Sequence, residues 1–132
     1  MRAYLLPLLA LLVAPVANAQ QPAATAQQQE VVVKATKLGG DVYGIDGQGG
    51  RMAALVGPEG VFLVDAQSPR ITDKIAAAIK ELSPAPLKLL VNTHVHTDHT
   101  GGNENFAKLG VTILGRPALR AQLLTPGPAP GN

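Results

Sequence analysis

All three histidines of the chain, His94, His96 and His99, fall within a span of six residues that also holds Asp98. Imidazole nitrogens and a carboxylate at this spacing suit a borderline-soft divalent ion, with Zn the first choice and Fe or Mn as alternatives. In an extended segment the two-residue period directs His94, His96 and Asp98 to one side, and His99 reaches in from the next turn. A solvated polar loop is the competing description, but it gives no reason for every histidine to sit at ligand spacing beside an aspartate. The stretch runs on into Thr100, Gly101, Gly102 and Asn103. The glycines let the backbone turn sharply beside a metal, and Asn103 can cap the helix that follows.

The elements that would carry this stretch are legible on either side of it. Residues 31–33 are a valine run suited to a strand, and residues 41–46 and Met52–Gly57 make two more, joined as a hairpin through Gly47, Gln48, Gly49 and Gly50. No Lys-Ser or Lys-Thr pair follows these glycines, so they form a turn and not a phosphate cradle. Residues 61–64 are an apolar run of buried-strand type ending at Asp65, a carboxylate that either caps the following turn or supports the metal ligands. Ser68 and Pro69 have the chemistry of a helix start. Ile71, Ile75, Ile79 and Leu82 then form one stripe, with Lys74 and Lys80 toward solvent and Ser83 and Pro84 at the end. Leu87–Val91 is the next strand, so strand, helix and strand imply a right-handed crossover between parallel neighbours, with the histidine stretch at a strand's carboxyl end. Beyond it, a short helix should turn Phe106 and Leu109 inward and stop at Gly110. Residues 111–114 then form a strand and Pro117–Leu124 a short helix.

The chain has 132 residues, 46% hydrophobic and 15% charged, which fits one small globular domain. A net charge of +2, with no basic run or clustered aromatics, excludes a nucleic-acid surface. Cysteine is absent, so stability must come from packing and metal. Residues 1–19 have the form of an export signal: Arg2, a Leu/Ala/Val run, and Ala17, Asn18, Ala19 as the cleavage site. The apolar run is too short for a membrane anchor and carries Pro7 and Pro15, so the mature chain is expected to be soluble and periplasmic or secreted, with no membrane contact. Residues 20–29 are a Gln- and Ala-rich lead-in, residues 30–124 the folded part, and residues 125–132 a loop or truncated end.

The motif of His94, His96, Asp98 and His99, followed by Thr100, Gly101, Gly102 and Asn103, resembles that of the metallo-β-lactamase superfamily. That resemblance implies an α+β fold, the αββα sandwich, with only its first half present over residues 31–124. It assigns His94 and His96 to a first metal site, Asp98 and His99 to a second, and favours Asp65 as a partner behind the ligands. The family pattern adds three downstream ligands, yet after His99 the sequence has no His and no Asp. A half-sandwich leaves a sheet face uncovered, which implies self-association and a chain that is part of a longer enzyme.

The implied activity is a metal-dependent hydrolase, with one or two Zn ions and metal-bound hydroxide attacking an ester, thioester, lactone or β-lactam carbonyl of a small-molecule substrate. Asp98 would hold the second ion and orient the attacking group. An export signal makes a β-lactam a natural substrate, and His99 directly after Asp98 resembles the subclass with two histidines in the second site. The alternatives are an iron-dependent, persulfide-oxidising oxidoreductase of the same superfamily and a truncated, noncatalytic metal-binding protein.

Overall fold

The computed structural model describes residues 30–125. The export signal expected at 1–19, the lead-in expected at 20–29 and the stretch beyond Thr125 lie outside the described residues. Six strands form one mixed sheet in sequence order: β1 (Lys34–Gly39), β2 (Val42–Asp46), β3 (Met52–Gly57), β4 (Gly60–Val64), β5 (Leu87–Val91) and β6 (Thr112–Leu114). Strands β1 to β4 are antiparallel hairpin neighbours, while β4, β5 and β6 are parallel. A 3-10 turn (Pro69–Ile71) and α1 (Thr72–Leu82) connect β4 to β5. The short helices α2 (Thr97–Thr100) and α3 (Asn103–Lys108) connect β5 to β6, and α4 (Pro117–Leu124) follows. No helix among the described residues is long and apolar enough to cross a membrane.

The two faces of the sheet differ in a way the pleat explains. Ile45, Met52, Ala54, Val61, Leu63 and Leu90 point to one side, where Ile71, Ile75, Ile79 and Phe106 from the connecting helices close a single core. The stripe of isoleucines on α1 is what docks it there, each buried side chain contributing about 1.5–3 kcal/mol. The opposite face carries Val42, Leu55, Leu89 and Leu114, which remain 38–49% exposed. This α+β arrangement of one sheet with helices is the expected fold class.

Some local expectations are corrected. Residues 31–33 are not a strand; the first strand begins at Lys34, which pairs with Asp46. Beyond Asp46 the partner chain turns away into the 47–50 loop, so the valines have no ladder to join. Val31 and Val33 instead pack against the core, and Lys74 Nζ donates to Val31 O at 2.9 Å. Leu109 does not face inward but is 52% exposed, because α3 ends at Lys108 and Gly110, at φ 87, turns the chain away. Asn103 is not the cap of α3. Gly102 occupies that position, and the Asn103 amide donates instead to Asn92 Oδ1 at 2.7 Å.

Candidate metal centre

Parallel pairing of β4 with β5 sets Val64 opposite Val91, so whatever follows each strand emerges side by side at the carboxyl edge. Asp65 follows β4 and Asn92 follows β5. The Asp65 N–H donates to Val91 O at 2.8 Å, and its carboxylate turns back over the neighbouring chain. It accepts from Thr93 N at 2.8 Å, from Thr93 Oγ1 at 2.9 Å, and meets His99 Nδ1 at 2.8 Å. Asp65 is 4% exposed and has φ 69, a left-handed conformation that aspartate tolerates better than most residues.

The three histidines do converge, although not by alternation along an extended segment. The strand ends at Val91, His94 lies in a bend, His96 is the N-cap of the helical turn α2, and Asp98 and His99 ride on that turn. The His94 ring lies 4.8 Å from that of His96 and 3.9 Å from that of His99. Asp98 Oδ2 is 3.4 Å from His99 Nε2. The turn itself is fastened from below: Ala66 N donates to His99 O at 2.8 Å, Asn92 Nδ2 to the same oxygen at 2.9 Å, and Gly102 N to Gln67 O at 2.9 Å.

Gly101 and Gly102 have ordinary right-handed dihedrals, so no sharp bend depends on them. They are required for close approach. A β-carbon on Gly101 would fall 2.9 Å from Pro69 Cδ, and one on Gly102 would strike Ala66 O. The absence of those two β-carbons lets the turn sit against the chain that follows β4.

Thr93 links the site into a chain of hydrogen bonds. Its hydroxyl donates to Asp65 and lies 2.9 Å from His94 Nδ1. The chain is satisfied when His94 Nδ1 donates to Thr93 Oγ1 and His99 Nδ1 donates to Asp65, which leaves both Nε2 lone pairs available to a cation. In donor type and in tautomer the residues therefore fit a divalent ion. As the side chains stand, no group of three or more His, Asp or Glu among the described residues is arranged to hold one.

The hairpin loop at 47–50 lies over this site. A β-carbon on Gly49, which has φ 109, would come 3.0 Å from Asp98 Cβ, and one on Gly50 would come 3.4 Å from His99 Cε1. The loop is closed at its base by Arg51, whose Nε and Nη2 donate to the two Asp46 carboxylate oxygens at 2.6 and 2.9 Å. The hydrogen bond from Arg51, with its positive charge, holds the Asp46 carboxyl below the usual carboxylate range. Between the loop and the 3-10 turn is a cleft of about 230 Å³ lined by Gln48, Gly49, Ser68, Pro69, Thr97 and Asp98.

Gln67 is a residue that sequence patterning passes over. It is 1% exposed, its φ is 50, and its Nε2 donates to Ile45 O at 2.9 Å, while its Oε1 has no partner. A left-handed non-glycine residue costs about 1–3 kcal/mol and persists only where its surroundings hold it. Neither periodicity nor turn chemistry in the sequence marks it.

A sequence model of the family described as the metallo-beta-lactamase superfamily matches residues 46–131. No curated protein matches the chain. Among solved structures, MEM-A1, a subclass B3 metallo-beta-lactamase from a soil metagenome library, is similar at 29% identity with a TM-score of 0.64, over 74% of this chain and 38% of that one. The Rm3 metallo-beta-lactamase is similar at 26% identity and a TM-score of 0.63, over 73% of this chain and 37% of its own. The metallo-beta-lactamase SMB-1, bound to 2-mercaptoethanesulfonate, is similar at 29% identity and a TM-score of 0.61, over 69% and 36%. The chain thus spans little more than a third of the length of these relatives.

Proposed function

The chain belongs to the metallo-beta-lactamase superfamily, and on that premise we propose that it contributes ligands to a metal-dependent hydrolase acting on a carbonyl, with Zn as the resident ion. The observation that carries this reading is the hydrogen-bond chain from His94 through Thr93 and Asp65 to His99. It holds the Nδ1 side of two imidazoles and frees their Nε2 atoms, the arrangement a buried carboxylate provides behind a ligating histidine.

In this reading His94, His96, Asp98 and His99 are the ligands, and Asp65 orients His99 from behind. Bound there, a divalent ion supplies Lewis-acid polarisation of a carbonyl and lowers the pKa of water from about 15.7 to about 7. The chain's own residues do the remaining work. Asp98, on the turn beneath Gly49, accepts a hydrogen bond from the attacking water and directs it. The 47–50 loop covers Asp98 and His99 and keeps bulk water from that side. The cleft beside Gln48 and Ser68 receives the part of a small-molecule substrate that extends past Asp98.

A β-lactam in a periplasmic or secreted setting is the proposed substrate, supported by the subclass B3 name of the similar MEM-A1 and by the export signal expected at residues 1–19. The exposed apolar face of Val42, Leu55, Leu89 and Leu114 supports self-association or cover by further protein.

The test is metal content. The full chain, purified without added chelator, should bind Zn, and His96→Ala should lose it; unchanged metal content in that variant would remove the ligand assignment. Lowering the pH should release the ion, because imidazole must be neutral to coordinate. Bound iron with oxygen consumption, in place of Zn with β-lactam turnover, would move the protein to the oxidoreductase alternative.

A further inference from the structure

We propose that Gln67 is a positioning residue that fixes the 47–50 loop against the turn carrying Asp98 and His99. Its consequence for chemistry rests on the hydrolase reading; its structural role does not.

Gln67 connects three elements that are far apart in sequence. Its side-chain amide donates to Ile45 O, near the end of β2 where the loop departs. Its backbone carbonyl accepts from Gly102 N, at the far end of the metal-ligating turn, and the preceding Ala66 N holds His99 O. The loop reaches back over the same turn, with Gly49 against Asp98 and Gly50 against the His99 ring. One residue therefore grips the loop's root with its side chain and the turn with its backbone.

Packing alone does not account for a glutamine here. A buried amide with one unpartnered oxygen and a left-handed backbone are two separate costs at a single position. An apolar residue would fill the same space without the first of them. What only the amide provides is reach to Ile45 O. The unpartnered Oε1 also faces Gly47, where a β-carbon would lie 2.7 Å from it and 2.7 Å from Ile71 Cδ1, so the loop's first glycine is fitted around the Gln67 side chain and the Ile71 methyl together. Asp46 and Arg51 clamp the loop from the solvent side, and Gln67 holds it from the interior.

The experiment measures backbone order by NMR relaxation in the full chain, for the wild type, Gln67→Asn and Gly47→Ala. Asparagine keeps the amide and tolerates the left-handed backbone but is too short to reach Ile45 O. Alanine at Gly47, whose φ is not positive, meets Gln67 Oε1 and Ile71 Cδ1 alike, so it is made in an Ile71→Val background, where only the Gln67 side chain is displaced, and it protects the test against a Gln67 variant that fails to fold. Wild-type order parameters over residues 47–50 should be near the rigid value of about 0.85, falling to about 0.6 or below in both variants. A Co2+ titration of the same samples should show the visible bands shifted and affinity reduced about tenfold in the variants.

A role in packing alone would lower the unfolding midpoint and leave both loop order and the Co2+ spectrum unchanged, and that result overturns the proposal. A wild-type loop that is already mobile overturns it as well. If the wild type binds no Co2+ at all, the hydrolase reading fails, and the order parameters by themselves decide the role of Gln67.

Discussion

Replacing Asp65 by asparagine separates two tasks of one buried carboxylate. The size is kept, the left-handed φ of 69 is tolerated, and an oxygen still accepts from Thr93 N. The changed atom is the one facing His99 Nδ1, now 2.8 Å from an acceptor and after substitution the same distance from an NH2 group. Donor then meets donor. His99 must either swing away or move its proton to Nε2 and accept at Nδ1, and both responses take the Nε2 lone pair from the metal.

A hydrogen bond to a charged group, about 1.5–3 kcal/mol, gives way to a neutral one of about 1 kcal/mol, so the fold should lose about 0.5–2 kcal/mol. In a domain of this size that lowers the melting temperature by roughly 2–16 °C. Zn affinity should fall about 10- to 100-fold. Circular dichroism melting of the metal-free chain reads the first effect, and competition against a chromophoric chelator reads the second. Asp65→Ala leaves Thr93 and His99 without their acceptor and should cost more in melting while removing affinity as well. If Asp65→Asn melts lower but keeps wild-type Zn affinity, Asp65 serves only to tie the turn, and the argument from tautomers is wrong.

Other perturbations test separate parts of the molecule. Phe106→Ala empties a fully buried position where α3 meets the core and should cost about 3–5 kcal/mol, visible as loss of most cooperative unfolding in a denaturant titration. Arg51→Gln removes the hydrogen bond and charge that depress the Asp46 carboxyl, so its carboxyl 13C titration midpoint should rise toward the ordinary carboxylate value. The sign follows from that depression: the wild-type pair contributes above the unfolded carboxyl pKa and is lost as pH falls through the folded one, so the variant's loop should be insensitive to acid where the wild type is not. Replacing Leu55 and Leu89 together by lysine should lower the concentration-dependent association of the chain in sedimentation velocity without lowering its melting temperature, because both side chains are already exposed.

Much of this molecule is local chemistry and was therefore open to reading from the sequence. The isoleucine stripe of α1, the Ser68 and Pro69 start, the hairpin through Gly47 and the strand at Leu87–Val91 depend on neighbours a few residues away, and they appear where periodicity and turn chemistry put them. That His94, His96, Asp98 and His99 lie close together was likewise visible, because they share one short span. How they converge was not. Alternation suggested an extended segment, whereas a bend and a helical turn bring the rings together, since the backbone there is bound to Ala66, Gln67 and Asn92 and not to a neighbouring strand.

Tertiary structure alone decided the rest. Asp65 meets His99 across 34 residues, and Gln67 meets Ile45 across 22. Nothing in the valines at 31–33 reveals that their partner strand stops at Asp46, and nothing in Leu109 reveals that the chain turns away beside it. Periodicity reports which face of an element is apolar; it carries no information about which distant backbone groups need a partner. The residues that hold this site together are placed by that second requirement, the satisfaction of buried polar groups brought side by side when β4 pairs with β5.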